Sequence, residues 1–117
     1  MAAHVLTADV EIERPAEDVV VVSPHGVVDA FSADSFAAAL ARAARPSARL
    51  VVLDLSRTDL VDSSGLGAIL GASLRLREWG TRLVLVAGGR QVMRGFELTG
   101  LDRVLPIYGS RDEALRA

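Results

Sequence analysis

Hydrophobic and polar positions alternate strictly from Ala8 to Glu13, with Ala8, Val10 and Ile12 set against Asp9, Glu11 and Glu13. A period of two with one wet face predicts a strand at a sheet edge. Arg14-Pro15-Ala16-Glu17 reads as a turn, and Asp18 to Val22 follows as a β-branched run, so the first two strands are expected to form a hairpin. Pro24-His25-Gly26 ends the second strand. Ser32 or Asp34 is placed to cap a helix running to about Arg45, with Phe36, Leu40 and Ala44 inward and Pro46 as its stop. The run Leu50 to Leu55 predicts a buried strand and Ser56 to Asp62 a loop. A helix from about Ser64 to Trp79 carries an apolar stripe at Leu66, Ile69, Leu70 and Leu74. Gly80 closes it, and Leu83 to Ala87 is another buried strand. A short helix from about Gln91 to Leu98 ends near Gly100, and Val104 to Tyr108 predicts a final strand. Ser110-Arg111-Asp112-Glu113 has the capping-box pattern that opens a last helix.

Strands alternating with helices at these lengths predict an α/β fold with right-handed crossovers: about five strands in a mostly parallel central sheet, and about four helices. The first strand is the antiparallel exception. Residues 1–117 are read as one domain, because no linker, repeat or low-complexity tract divides them. Half of the chain is hydrophobic but only 4% aromatic, so the core is expected to be built from Val, Leu, Ile and Ala. With no cysteine, disulfides, thiolate metal sites and Cys nucleophiles drop out. A formal charge of −2 and the lack of any basic run leave no electrostatic footprint for nucleic acid or an anionic membrane. Met1 to Leu6 lacks the basic-then-apolar pattern of a signal peptide, and no apolar stretch reaches the length of a membrane span, so a cytoplasmic protein is expected.

The chemistry concentrates in Asp59-Leu60-Val61-Asp62-Ser63-Ser64-Gly65-Leu66-Gly67-Ala68-Ile69-Leu70-Gly71. Two hydroxyls fall where a loop becomes a helix N-terminus, a place with unpartnered N–H groups and a dipole that favours negative charge. Three roles suit such serines: helix cap, anion site, or phosphate carrier. A hydrolase elbow needs a glycine on both sides of its nucleophile, whereas Asp62 precedes Ser63, and both histidines, His4 and His25, lie upstream. Gly65, Gly67 and Gly71 fall inside the predicted helix and not in a tight turn directly after the strand, which is a poor match to a dinucleotide cradle. A chain without Lys has no Walker A motif. Asp54, Asp59 and Asp62 lack the further oxygen ligands of a hard-metal site. No catalytic residue, metal or cofactor is expected. Gly67 and Gly71 each cost about 1 kcal/mol against Ala within a helix. The bare ridge they make leaves two readings open, tight packing on the chain's own sheet or docking of a partner.

Asp62-Ser63-Ser64-Gly65-Leu66-Gly67, preceded by Val52-Leu53-Asp54-Leu55-Ser56, resembles the signature of bacterial anti-sigma factor antagonists, the stand-alone STAS domains. Gly26-Val27-Val28-Asp29 is similar to that family's Gly-Glu-Leu-Asp segment, with Val27 where the family often has Glu. Phe96 to Leu101 and Val104 to Tyr108 resemble its C-terminal part, so the likeness covers nearly the whole chain. The resemblance implies a non-enzymatic partner switch. The unmodified protein would bind an anti-sigma factor that is also a serine kinase, freeing the sigma factor. Phosphorylation of Ser63 would end that binding, and a PP2C-type phosphatase would restore it. Asp29 and the segment Asp62, Ser63, Ser64, Gly65, Leu66 and Gly67 would face the partner, with Gly71 continuing the ridge. Two other classes remain alternatives, an accessory subunit of an ABC-type lipid transport complex and a nucleotide-binding STAS module.

Overall fold

The three apolar runs sit side by side because each is buried on both faces, the condition of strands inside a parallel sheet. In the computed structural model, which describes residues 10–44 and 48–117, these are β2 (Val19–Pro24), β4 (Leu50–Asp54) and β6 (Arg82–Val86). Val20, Val22, Val51, Leu53, Leu83 and Leu85 point to one side, and the residues between them to the other. Two further strands, β1 (Val10–Ala16) and β7 (Ile107–Tyr108), complete a sheet of order β1-β2-β4-β6-β7. Only β1 runs antiparallel, at the edge, as its alternation predicts.

Three helices cover the first side: α1 (Ala33–Ala44), α2 (Ser63–Glu78) and α3 (Arg90–Thr99). Phe36, Leu40, Ile69, Leu76 and Phe96 from these helices are fully or almost fully buried there. The short α4 (Arg111–Leu115) packs on β4, β6 and β7 and adds Ala114 to the second apolar cluster, on the opposite side. Its Ser110 hydroxyl accepts the Glu113 N–H at 3.2 Å, the N-cap half of the expected capping box, while the Glu113 carboxylate accepts the Ser110 hydroxyl at 3.3 Å. The expected α/β domain with four helices and a five-stranded, mostly parallel sheet is thus observed.

Several local expectations are corrected. The turn expected at Arg14 to Glu17 comes later, at Glu17 and Asp18; β1 continues to Ala16 through a register slip between Glu13 and Ala16. An edge strand tolerates this, since Pro15 has no N–H to contribute and a bulge absorbs the extra residue. The segment Ser56 to Asp62 is not all loop: β5 (Thr58–Val61) pairs in parallel with β3 (Gly26–Val28) as a separate two-stranded sheet. The stripe of α2 is Leu66, Ile69, Ala72 and Leu76, whereas Leu74 is 53% exposed and Leu70 half-buried. Ala72 completes the i, i+3, i+4 face that the larger leucines obscured. The last strand is cut to Ile107–Tyr108, because Leu101–Arg103 forms a 3₁₀ turn and leaves Val104 exposed. Ala8, Asp9, Arg45 and Pro46 lie outside the described residues.

Candidate functional site

The mouth of α2 is positioned by the small second sheet. At the end of β5 the Asp62 N–H donates to the Val28 carbonyl at 3.1 Å, which fixes the helix start against β3. Asp62 has extended backbone angles, and its Oδ1 accepts the Gly65 N–H at 2.9 Å. Asp62 is therefore the N-cap, and neither serine fills that role. Ser63 and Ser64 occupy the first two helical positions, both exposed, and among the described residues neither hydroxyl makes a hydrogen bond. Their backbone N–H groups belong to the first turn, where no intrahelical acceptor exists. No acidic residue follows in that turn.

Gly65 is buried, and its absent side chain is a structural requirement. A Cβ there would lie 2.6 Å from the Val28 carbonyl oxygen and 2.7 Å from Val61 Cγ1. Leu66 is also buried and joins the core. Gly67 and Gly71 behave differently, being exposed, with nothing within 4 Å of a Cβ built on either. Packing on the chain's own sheet does not explain them. They open onto a groove of about 340 Å³ between α1 and α2, walled by Ala30, Asp34 and Ala37 opposite Ser64, Gly67 and Gly71. Of the residues expected to face a partner, then, Ser63, Ser64, Gly67 and Gly71 are on the surface, while Gly65 and Leu66 seat the helix.

Asp29 lies in the turn from β3 to α1. Its Oδ1 accepts the N–H groups of Phe31 and Ser32 at 3.0 and 3.1 Å, and its own N–H donates to the Ser32 hydroxyl at 2.9 Å. The half-buried carboxylate thus shapes the start of α1. Ser32 precedes the helix as expected, but its hydroxyl turns back to the Asp29 turn; Asp34 is exposed on the first turn.

The other acidic residues hold separate places. Asp54, its side chain 6% exposed, accepts from Arg111 Nη2 at 2.9 Å and Nε at 3.1 Å, and from the Ser56 N–H at 3.0 Å. Burial pushes the Asp54 carboxyl up, but the hydrogen bonds from Ser56 and the Arg111 guanidinium outweigh it and hold the group below its ordinary value. Arg111 also reaches Glu13 at 2.7 Å, tying α4 to the edge strand. This network escaped the sequence reading, since nothing in spacing links positions 54 and 111. His25 faces Glu11 at 3.0 Å in that same cleft, and His4 lies outside the described residues. No described group of three His, Asp or Glu side chains is placed to hold a metal ion.

A STAS domain family model matches residues 10–114. This chain belongs to the STAS domain family. Within that family the likeness is to anti-sigma factor antagonists. BtrV of Bordetella bronchiseptica, provisionally named an anti-sigma factor antagonist, is 36% identical over 93 residues, 80% of each chain. The anti-sigma-B factor antagonist of Listeria monocytogenes is 29% identical over 108 residues, 92% of this chain and 95% of that one. The crystal structure of an anti-sigma factor antagonist from Mycobacterium paratuberculosis superposes with a TM-score of 0.84 at 29% identity, covering 99% of this chain and 97% of that one. The resemblance expected from Asp62 to Gly67 is borne out, and these STAS relatives carry the names of regulatory binding proteins, not of enzymes. Among the described residues, no helix of this STAS domain is long and apolar enough to cross a membrane.

Proposed function

We propose that this STAS domain is an anti-sigma factor antagonist working in the cytoplasm as a phosphorylation switch. Unmodified, it binds an anti-sigma factor serine kinase and frees the sigma factor. A phosphate on Ser63 ends the complex, and a PP2C-type phosphatase resets it. The observation that carries this reading is the division of labour at the mouth of α2. Asp62 makes the cap bond, so the Ser63 hydroxyl stands exposed at the first helical position, with no partner among the described residues.

The physical consequences follow from that position. A phosphate brings about −1.5 to −2 charges to a helix end whose N–H groups favour anions. The modified domain therefore keeps its fold, and the effect falls on the interface. A kinase brings the acceptor hydroxyl against the γ-phosphate of its nucleotide. The product phosphoserine then meets negative charge at close range and must be desolvated there, so the complex separates. Gly67 and Gly71 keep the neighbouring helix surface low, which lets a partner backbone approach closely.

Incubation with an anti-sigma factor kinase of the same organism and ATP should add one phosphate-sized mass, localised to Ser63. Ser63→Ala should abolish the gain and bind persistently, and Ser63→Asp should stay folded and bind at least about tenfold more weakly. Mass gain on Ser63→Ala, or wild-type affinity of Ser63→Asp, would overturn the assignment.

A further inference from the structure

Among the described residues the most exposed large hydrophobic side chain is Phe31, at 94%. It stands beside β3, whose Val27 is 42% exposed and pairs in register with Leu60 of β5, 36% exposed. Phe31 is not on a slack loop. Its own N–H and that of Ser32 are both held by Asp29 Oδ1, and the Ser32 hydroxyl closes the turn. The aromatic ring is thus offered outward from a braced backbone, with little ordering left to lose on binding. The next residue back, Ala30, borders the α1–α2 groove opposite Ser64, which brings the turn that carries Phe31 to the edge of that groove.

The two segments that carry this patch are acidic, and Arg75 enters only along the α1–α2 groove, on the α2 wall. No Arg or Lys occurs from Gly26 to Ala41 or from Thr58 to Leu74, while Asp29, Asp34, Asp59 and Asp62 all do. Arg57, just before β5, lies 3.6 Å from Glu11, and α3, which carries Arg90 and Arg94, packs on β5. An aromatic knob of this size removes some 150–250 Å² from water when buried, and an acidic rim steers a basic partner toward it.

We infer that Phe31, with Val27 and Leu60, is the anchor of the partner interface, received in an apolar pocket of the anti-sigma factor kinase whose rim is basic. This rests on the function proposed above and adds to it the chemistry of the partner's surface and the residue that selects it. Phe31 makes no contribution to the core, so its removal leaves the fold intact.

The test uses the purified full-length chain and a purified anti-sigma factor kinase of the same organism, with Phe31→Ala and Ser63→Asp measured in parallel. Phe31→Ala should melt as the wild type, weaken binding about 30-fold, the loss typical of an aromatic hot spot, and raise the kinase KM for the chain while sparing kcat. Wild-type association should slow as salt rises. Wild-type affinity of Phe31→Ala beside a weakened Ser63→Asp overturns the anchor and leaves the switch standing. A weakened Phe31→Ala beside an unaffected Ser63→Asp supports the anchor and overturns the switch. No wild-type binding, or no change in either variant, overturns both. If Phe31→Ala instead abolishes a wild-type self-association and leaves kinase affinity unchanged, the patch belongs to a second copy and the inference fails.

Discussion

Three glycines on one helix should respond to alanine with opposite signs. At Gly65 an added Cβ would sit 2.6 Å from the Val28 carbonyl oxygen and 2.7 Å from Val61 Cγ1, well inside the 3.4 Å at which ordinary contact begins. The oxygen is backbone and is already tied to the Asp62 N–H, so it cannot swing away as a side chain would. Overpacking of this kind costs about 1–3 kcal/mol. Because the obstacle is rigid the upper end applies, and the helix propensity of alanine returns about 1 kcal/mol of it. The net loss is about 2 kcal/mol, which at this chain length lowers Tm by about 8 °C. At Gly67 and Gly71 the Cβ meets nothing, so only the propensity gain remains, up to about 1 kcal/mol each, or about 4 °C. Urea unfolding followed by far-UV circular dichroism, with thermal melts beside it, reads all three. A Gly65→Ala variant as stable as the wild type, or a Gly67→Ala variant as damaged as Gly65→Ala, would refute the account of how α2 is seated.

Other perturbations separate the remaining roles. Asp62→Ala should cost about 1 kcal/mol in urea unfolding through the lost cap, while Asp62→Asn, a comparable cap without the charge, should cost almost nothing. Asp54 has a folded-state pKa below its unfolded value. Its contribution to stability is therefore present above the unfolded value and is lost as pH falls through the folded one, so acid titration from about pH 5 downward should show a declining limb. Asp54→Asn should be less stable at neutral pH and show a flatter acid limb in the same titration.

Much of this fold is written locally. β2, β4 and β6 are built on Val and Leu runs because both of their faces are buried, and α3 ends where Gly100 breaks the pattern. The β3–β5 sheet is not written that way. Each strand has only three or four residues, Thr58 and Asp59 are polar, and the pairing joins segments some thirty positions apart. The cap illustrates the same limit. Asp62, Ser63 and Ser64 are all favoured N-cap residues, and the choice falls to Asp62 because the chain leaves β5 there, with its N–H on Val28. Phe31 escaped notice because an aromatic residue is read as core by default, and only the fold reveals one left outside.

The seating of α2 also bears on where the proposed switch keeps its memory. The first turn is fixed by a backbone hydrogen bond to β3 and by a glycine pressed on the same strand, so it has no slack in which to hold a second shape. A mark placed on Ser63 is then recorded as chemistry alone, present or absent, with no slow relaxation to follow. The tempo of such a signal belongs to the enzymes that write and erase it, and the domain itself adds no delay.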